Sequence, residues 1–215
     1  MINLESKIKL GWLIGIMPSN YLRILFYRKI FGYKIHKSFI GWNTTIVVEN
    51  ADIEECKIGR GNYFLGPMDI SIKKGTNIGS KNTFECGWWT QLEKYRTAKF
   101  NRSLKIGEDT LITSRHHFDV TGSFILGNGS CIAGSGSQFW THGAGGHHKL
   151  NIIIGENCYI GSAVRFAPGS SIGNNSTVGL GSIVTNVFTN ENVLIAGHPA
   201  RVMKDDYDWK TRKGS

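Results

Sequence analysis

The apolar positions of this chain follow a period of six residues between residues 154 and 184. A bulky apolar side chain recurs at Ile154, Ile160, Phe166, Ile172, Val178 and Val184. A helix has a period of 3.6 and a simple strand a period of two, so neither accounts for the pattern. A triangular coil with six residues on each side accounts for the pattern, if the first residue of each hexapeptide points inward.

The same period recurs upstream with interruptions. It is kept at Ile106, Ile112 and Phe118, and after a two-residue slip it resumes at Leu126, Ile132 and Gln138. Weaker matches to the period occur at Ile35, Ile40, Ile58 and Ile78. The pattern predicts an all-β solenoid, a left-handed parallel β-helix over residues 35–190. Residues 1–34 are predicted as N-terminal amphipathic helices and residues 191–215 as a C-terminal tail. A right-handed solenoid or a sandwich fits the unbroken hexads less well.

The first forty residues are both basic and apolar. Pro18 divides them into two predicted helices, with Ser19 or Asn20 able to cap the second. The pair could cover the open first coil or make a peripheral contact with an anionic membrane, and the two roles are compatible. The apolar run at 10–17 is too short to span a bilayer and no cleavage site follows it. We therefore expect a cytoplasmic protein, at the inner face of the membrane if the helices touch it.

Composition narrows the function classes. The 215 residues carry a formal net charge of +9, but no nucleic-acid motif accompanies the basic charge, so no nucleic-acid partner is expected. The four cysteines form no C-x-x-C pair. We expect them to be reduced thiols in a reducing compartment, not disulfides or a zinc site.

Histidines concentrate where the repeat is interrupted. Five of the seven histidines fall in one window, at His116, His117, His142, His147 and His148. Interruptions at 88–103 and 142–153 flank the same region. Loops that leave a rigid scaffold commonly carry function, so this region is the candidate site.

The motifs SGSQFWTHGAGGHHKL, IGENCYIGSAVRFAPGSSIG and IAGHPARVMK add a family resemblance. Together they resemble the hexapeptide-repeat acyltransferases, in particular the branch that O-acetylates sugars, including bacterial surface polysaccharides. The resemblance implies transfer of an acetyl group from acetyl-CoA to a hydroxyl of a sugar in a bacterial surface glycan or its precursor. It implies His142 as the general base, no metal, and acetyl-CoA bound between the prisms of a homotrimer.

The resemblance also implies positions for the acetyl-CoA site. They are Ser162, Leu180, Gly181, Thr185 and Arg201, with Lys204 as a further cation for the CoA phosphates. Ser162 and Thr185 are also ordinary residue types for the corners of a coil. Arg201 lies beyond the repeats, which strengthens its assignment.

Counting coils gives a partner for His142. The strand that begins at Gln138 is predicted to stack on the strand that begins at Phe118, which makes Asp119 the nearest carboxylate to orient the imidazole. A backbone carbonyl could serve instead, and Glu85 is a more distant carboxylate. Expected acceptor-binding residues are Glu85, Trp88, His116, His117 and Trp140, because tryptophan rings stack on sugars or adenine and the histidines lie in the coil below.

Other readings stay open. The insertion at 88–103 and the G-A-G-G after His142 favour a glycan-linked or polymeric acceptor over a small free sugar, while an amino sugar, an antibiotic or serine are alternatives. His142 and His147 are spaced like two zinc ligands of a γ-type carbonic anhydrase, but no histidine lies near residue 106 for the third. A non-catalytic scaffold would explain neither the histidine-opened loop nor the G-H-P-A-R motif.

Overall fold

A computed structural model describes residues 3–95, 97–98, 100–143 and 151–211. Two helices come first, α1 (Leu4–Gly15) and α2 (Asn20–Phe31). Strands follow in coils of three, and the first coils are β1 (Lys34–His36), β2 (Phe39–Ile40), β3 (Thr45–Val47); β4 (Asn50–Glu54), β5 (Lys57–Ile58), β6 (Tyr63–Leu65); β7 (Asp69–Ile72), β8 (Asn77–Ile78), β9 (Thr83–Glu85). Short 3₁₀ helices at Trp88–Gln91 and Glu93–Tyr95 interrupt the third coil.

The later coils continue the series to the C-terminal hairpin. They contain β10 (Ser103–Ile106), β11 (Leu111–Ile112), β12 (His117–Asp119); β13 (Ser123–Leu126), β14 (Cys131–Ile132), β15 (Gln138–Phe139); β16 (Ile152–Ile154), β17 (Tyr159–Ile160), β18 (Arg165–Phe166); β19 (Ser171–Ile172), β20 (Thr177–Val178), β21 (Ile183–Val184). The last strands among the described residues are β22 (Val187–Phe188), β23 (Leu194–Gly197) and β24 (Ala200–Lys204).

Each coil contributes one strand to each of three parallel sheets. Sheet A runs from β1 to β22, sheet B from β2 to β23 with β24 added antiparallel, and sheet C from β3 to β21. The predicted left-handed parallel β-helix with an N-terminal helical cap is confirmed. Strand β23 stacks on β20, so sheet B continues beyond residue 190.

Inward side chains stack in ladders along each sheet. In sheet C, Phe64, Phe84, Phe118, Phe139 and Phe166 are fully buried, with neighbouring ring centroids 4.4 to 5.2 Å apart. Such stacked rings bury much apolar surface and hold the register of successive coils.

One inward position differs from the sequence prediction. Phe118 pairs with Phe139, and Gln138 pairs with His117. The corner between Ile132 and Phe139 holds one residue more than the corner between Ile112 and Phe118, and Gly134 and Gly136 accommodate it with φ of 66° and 77°. The assignment of Gln138 to the inward face is therefore wrong by one residue, because a period of six assumes corners of constant length.

The two helices pack against the first coil, whose backbone groups have no coil beneath them. The Tyr27 hydroxyl accepts from the Ile46 N–H at 3.1 Å, and the Asn20 side chain accepts from the Ile40 N–H at 2.8 Å. Arg23 donates from Nε to the Ile40 carbonyl at 2.9 Å. A helix that lies this close needs small residues, and a Cβ on Gly15 would lie 2.7 Å from the Thr44 carbonyl oxygen.

The outer surface of α1 keeps apolar side chains exposed. Leu4, Ile8 and Trp12, spaced four residues apart, lie on one stripe of the helix and are 37 to 49% exposed. Among the residues described, no helix has the length and apolar character needed to cross a bilayer.

Candidate active site

Residues of three consecutive coils come together at the corner that connects sheet C to sheet A. The third coil contributes the insertion after β9, the fourth contributes Asp119 at the end of β12, and the fifth contributes His142 shortly after β15. The parallel register β9–β12–β15 places these ends at one edge of sheet C. The structure thus brings Glu85, Trp88, Asp119, Trp140 and His142 around one cavity of about 350 Å³.

His142 and Asp119 form the polar centre of this cavity. The Nδ1 atom of His142 lies 2.8 Å from Oδ2 of Asp119. Because a carboxylate only accepts, Nδ1 carries the proton, and the neutral imidazole has its acceptor lone pair on Nε2. The Asp119 side chain is 4% exposed and that of His142 is 38% exposed. The imidazole is therefore oriented by a buried group while its ring remains accessible.

Two threonines that the sequence analysis did not single out hold Asp119. Thr121 donates its N–H and its hydroxyl to Oδ1, at 3.2 and 2.8 Å. Thr141 donates its N–H and its hydroxyl to Oδ2, at 2.8 and 2.7 Å, and the His142 N–H adds a further donor at 2.9 Å. In the sequence, the D-x-T motif at Asp119 and the T-H pair at His142 were the features that could have indicated these contacts. The carboxylate therefore fixes both the imidazole and the backbone that carries it.

Trp89 forms one wall of the cavity. Its ring centroid lies 5.5 Å from that of His142, and Tyr95 and Phe100 pack edge-on against its other parts at 5.1 and 5.3 Å. A Cβ on Gly87 would lie 2.1 Å from Nε1 of Trp89, so the indole occupies the space that a side chain at residue 87 would need. Gly87 thereby lets the insertion fold back onto His142.

Buried Cys86 also lines the cavity. Burial raises the pKa of its thiol to about 11. The thiolate is the nucleophilic form of cysteine, so Cys86 is unsuited to covalent catalysis. The other titratable groups that line the cavity are Glu85 and the His142–Asp119 pair.

The two neighbouring histidines have different environments. His117 packs on Trp140 with centroids 4.7 Å apart, and its Nε2 lies 3.4 Å from Oε1 of Glu85. This Nε2 is buried and makes no hydrogen bond to any described residue. Glu85, His117 and Trp140 therefore form one polar and aromatic group beside the cavity.

His116 instead belongs to a buried ladder of polar corner residues. The His116 N–H donates to the Asn82 side chain at 2.9 Å, as the Asn82 N–H does to Asn62 in the coil below. Its Nδ1 accepts from the Ser137 N–H at 3.1 Å, and its Nε2 lies 2.9 Å from the Thr113 hydroxyl. Burial lowers the pKa of His116 to about 4. Both ring nitrogens have partners inside the protein, and His116 does not line the His142 cavity; its role in acceptor binding stays a prediction.

Comparisons with known proteins agree with this architecture. The chain is 45% identical over 71 residues to a galactoside O-acetyltransferase of Escherichia coli (strain K12), covering 29% of this chain and 34% of the relative. It is 24% identical over 202 residues to the bifunctional protein GlmU of Bifidobacterium longum (strain DJO10A), covering 89% of this chain and 38% of the relative. The structure matches that of the polySia specific acetyltransferase NeuO with a TM-score of 0.51 and 20% identity, covering 85% of this chain and 86% of that one. No family model matches the chain.

Over part of its length the chain is therefore similar to proteins named as acetyltransferases. It spans about a third of the length of the curated relatives named above. The likeness to NeuO, at 20% identity, shows the fold.

In this hexapeptide-repeat protein, the positions expected to bind acetyl-CoA lie at two edges of sheet C. Ser162 and Gly181 stack at the corner between sheets B and C, where the Gly181 N–H donates to the Ser162 carbonyl at 2.9 Å, and neighbouring Leu180 is 75% exposed. Thr185 follows β21 at the opposite edge, on the same side of sheet C as Trp140. The structure does not bring these two groups together within one chain.

The C-terminal hairpin carries the two expected cations. Arg201 and Lys204 are exposed on β24, and Arg201 pairs with Ala196 of β23. The hairpin packs against the corner that holds Leu180 and Gly181. At this contact the Gly197 N–H donates to the Ser182 hydroxyl at 3.2 Å. Arg201 therefore lies on an element that contacts the Leu180 corner.

No group of three or more potential metal ligands occurs within residues 3–95, 97–98, 100–143 and 151–211. His147 and His148 lie outside the described residues. Within the described part, Nδ1 of His142 is engaged by Asp119.

Proposed function

We propose that this protein transfers an acetyl group from acetyl-CoA to a hydroxyl of a sugar in a bacterial surface glycan or its precursor, with His142 as general base. The observation that carries the proposal is the buried Asp119 carboxylate bonded to Nδ1 of an accessible His142. The names of two relatives, a galactoside O-acetyltransferase and a polySia specific acetyltransferase, support the reaction class.

The reaction needs one proton acceptor and no covalent acyl-enzyme. The acceptor oxygen attacks the thioester carbonyl carbon while Nε2 of His142 takes the hydroxyl proton. The tetrahedral intermediate collapses, the C–S bond breaks, and the imidazolium returns the proton to the sulfur of CoA. Asp119 stabilises the imidazolium and keeps Nδ1 protonated, as the carboxylate of a Ser-His-Asp triad does.

The acceptor sugar is proposed to lie against Trp88, Trp140 and the Glu85–His117 pair. A cavity of about 350 Å³ is within the size range of small-ligand sites. Tryptophan faces suit the apolar face of a sugar ring. Sugar hydroxyls would hydrogen-bond to the exposed carboxylate of Glu85, which lies beside His117.

Acetyl-CoA is proposed to bind along the edges of sheet C between subunits of a homotrimer. Ser162, Leu180 and Gly181 would supply one wall and Thr185 of another subunit the facing wall, which accounts for their separation within one chain. Exposed Leu180 gives the trimer an apolar contact, and Arg201 and Lys204 would bind the phosphates of CoA. The location of the protein in the cytoplasm, with α1 at the membrane surface, stays a prediction.

The direct test is calorimetric titration of acetyl-CoA into the full chain. Saturable binding near one per chain, followed by release of free CoA thiol on addition of a glycan acceptor, is expected. A chain that binds no acetyl-CoA would remove the acyltransferase assignment. Binding with transfer only to serine or an antibiotic would keep the reaction and replace the acceptor.

A further inference from the structure

Two further cavities share lining residues with the His142 cavity, and the proposed reaction does not use them. A cavity of about 520 Å³ adjoins the His142 cavity and shares Trp88 and Trp89 as lining residues. A third, of about 270 Å³, shares Trp88 with both and Lys7 and Gln91 with the second. We call the second and third cavities together the outer trough.

The outer trough runs between the insertion and the first helix. The insertion supplies Trp88, Gln91 and Leu92, and α1 supplies Leu4 and Lys7. Its floor is made by residues of the first two coils, including Val47 and Pro67. It therefore leads from the reaction centre in the fourth and fifth coils down to the capped end of the solenoid.

The chemistry of the walls fits a carbohydrate. Tryptophan faces take up the apolar faces of sugar rings, while the Gln91 amide and the Lys7 ammonium hydrogen-bond to hydroxyls. Trp88 lines all three cavities, so a ligand that packs along its indole would extend from the His142 cavity toward the outer trough. The combined space is larger than one sugar unit in the His142 cavity requires.

We propose that the outer trough is a subsite for the further sugar units of an oligosaccharide acceptor. The unit to be acetylated sits at His142, and the remaining units pass over Trp88 and Gln91 toward Lys7 of α1. This inference rests on the proposed function. It adds that the protein selects its acceptor by length.

Acceptor length is therefore the variable to test. A bacterial surface polysaccharide that the wild-type chain acetylates is hydrolysed and separated into fragments of one to six units, and kcat/KM is measured with radiolabelled acetyl-CoA. Stacking on Trp88 and hydrogen bonds to Gln91 should raise kcat/KM by about tenfold from one unit to four or more. Trp88→Ala and Gln91→Ala should each flatten this dependence, and Trp88→Phe should keep most of it.

Tyr21→Ala is the matched control, because Tyr21 is an aromatic residue of the helical cap that is 72% exposed and lines none of these cavities. It should retain the full length dependence. Gln91 is exposed, so its variant tests the trough with little risk to folding.

The failures are distinguishable. Equal kcat/KM for all fragment lengths in the wild type, or an equal loss on one-unit and six-unit fragments in Gln91→Ala, overturns the subsite and leaves the acetyl transfer intact. Competition against six-unit fragments by a prenyl phosphate, with none by non-acetylatable glycan, assigns the trough to a lipid chain and also overturns it. Absence of both acetyl-CoA binding and transfer removes the proposed function, and the subsite with it.

Discussion

Asp119 binds both the side chain and the backbone N–H of His142, at 2.8 and 2.9 Å, through the same carboxylate oxygen. The residue proposed as the base and the residue that orients it are therefore one rigid unit, built across two neighbouring coils. A substitution at Asp119 therefore alters the position of His142 as well, whereas a substitution at His142 removes the proposed base alone.

Replacing His142 tests the base directly. His142→Ala removes the only proton acceptor proposed for the reaction, so kcat should fall by about 100-fold or more. Acetyl-CoA affinity should stay within about twofold, because the residues proposed to bind it lie elsewhere. Unchanged turnover in steady-state assays would remove His142 from the mechanism.

Asp119→Asn tests the orienting carboxylate. An amide presents an NH₂ group where N–H and hydroxyl donors converge, so both activity and stability should suffer. We expect kcat to fall by about 100-fold and the free energy of unfolding by about 1–3 kcal/mol. Thr121→Ser, which keeps both donors to Asp119, is the control for kinetics and urea denaturation. A variant with normal kcat would show that the His142 ring needs no anionic partner.

Gly87→Ala tests the position of Trp89. The added Cβ would lie 2.1 Å from Nε1 of the indole and would displace the ring from His142. We expect a fall in kcat/KM of about tenfold or more, because small misplacements at a site are costly. Gly143→Ala is the control, since its Cβ would meet Pro168 alone among the described residues, at 3.7 Å. Tryptophan fluorescence should change in Gly87→Ala, and identical spectra and rates in both variants would contradict the packing argument.

His116 should make stability depend on pH. Burial lowers its pKa from 6.5 to about 4 in the folded protein, so the unfolded chain takes up the proton first as the pH falls. The resulting contribution to the free energy of unfolding is about 3 kcal/mol. It is present above pH 6.5 and is lost progressively down to about pH 4. His116→Asn, which resembles Asn82 in the coil below, should show a smaller loss in denaturation measured across this range. Equal pH dependence in the two proteins would show that other groups dominate.

Arg201→Ala tests the C-terminal hairpin. Loss of one charge-assisted contact to a CoA phosphate should weaken acetyl-CoA binding by about tenfold in calorimetry. Lys57→Ala removes an exposed cation from β5, away from the hairpin, and should leave the affinity unchanged. Equal affinities in the wild type and Arg201→Ala would direct the phosphates elsewhere.

The sequence predicted the solenoid because its period is carried by buried residues that cannot be moved without loss of the core. The same period failed at Gln138, since corner length is set by glycine conformations at Gly134 and Gly136 that no period encodes. The pairing of Asp119 with His142 followed from coil counting, which tolerates an error of one residue.

The environment of each polar residue was less predictable. His116 and His117 are adjacent in sequence, yet alternation along the strand buries the first and leaves the second beside the cavity. The threonine donors around Asp119 and the return of Trp89 over Gly87 depend on side-chain contacts between coils. Those contacts are absent from any single repeat.

The stacking of β12 and β15 has a consequence for how the site tolerates change. Neighbouring strands of a sheet are held about 4.8 Å apart by their backbone hydrogen bonds, whatever their side chains. The spacing between neighbouring coils therefore sets the distance between Asp119 and His142. Insertion or deletion of whole coils C-terminal to β15 would leave the distance between Asp119 and His142 unchanged. The length of the prism and the chemistry of the site can therefore change independently.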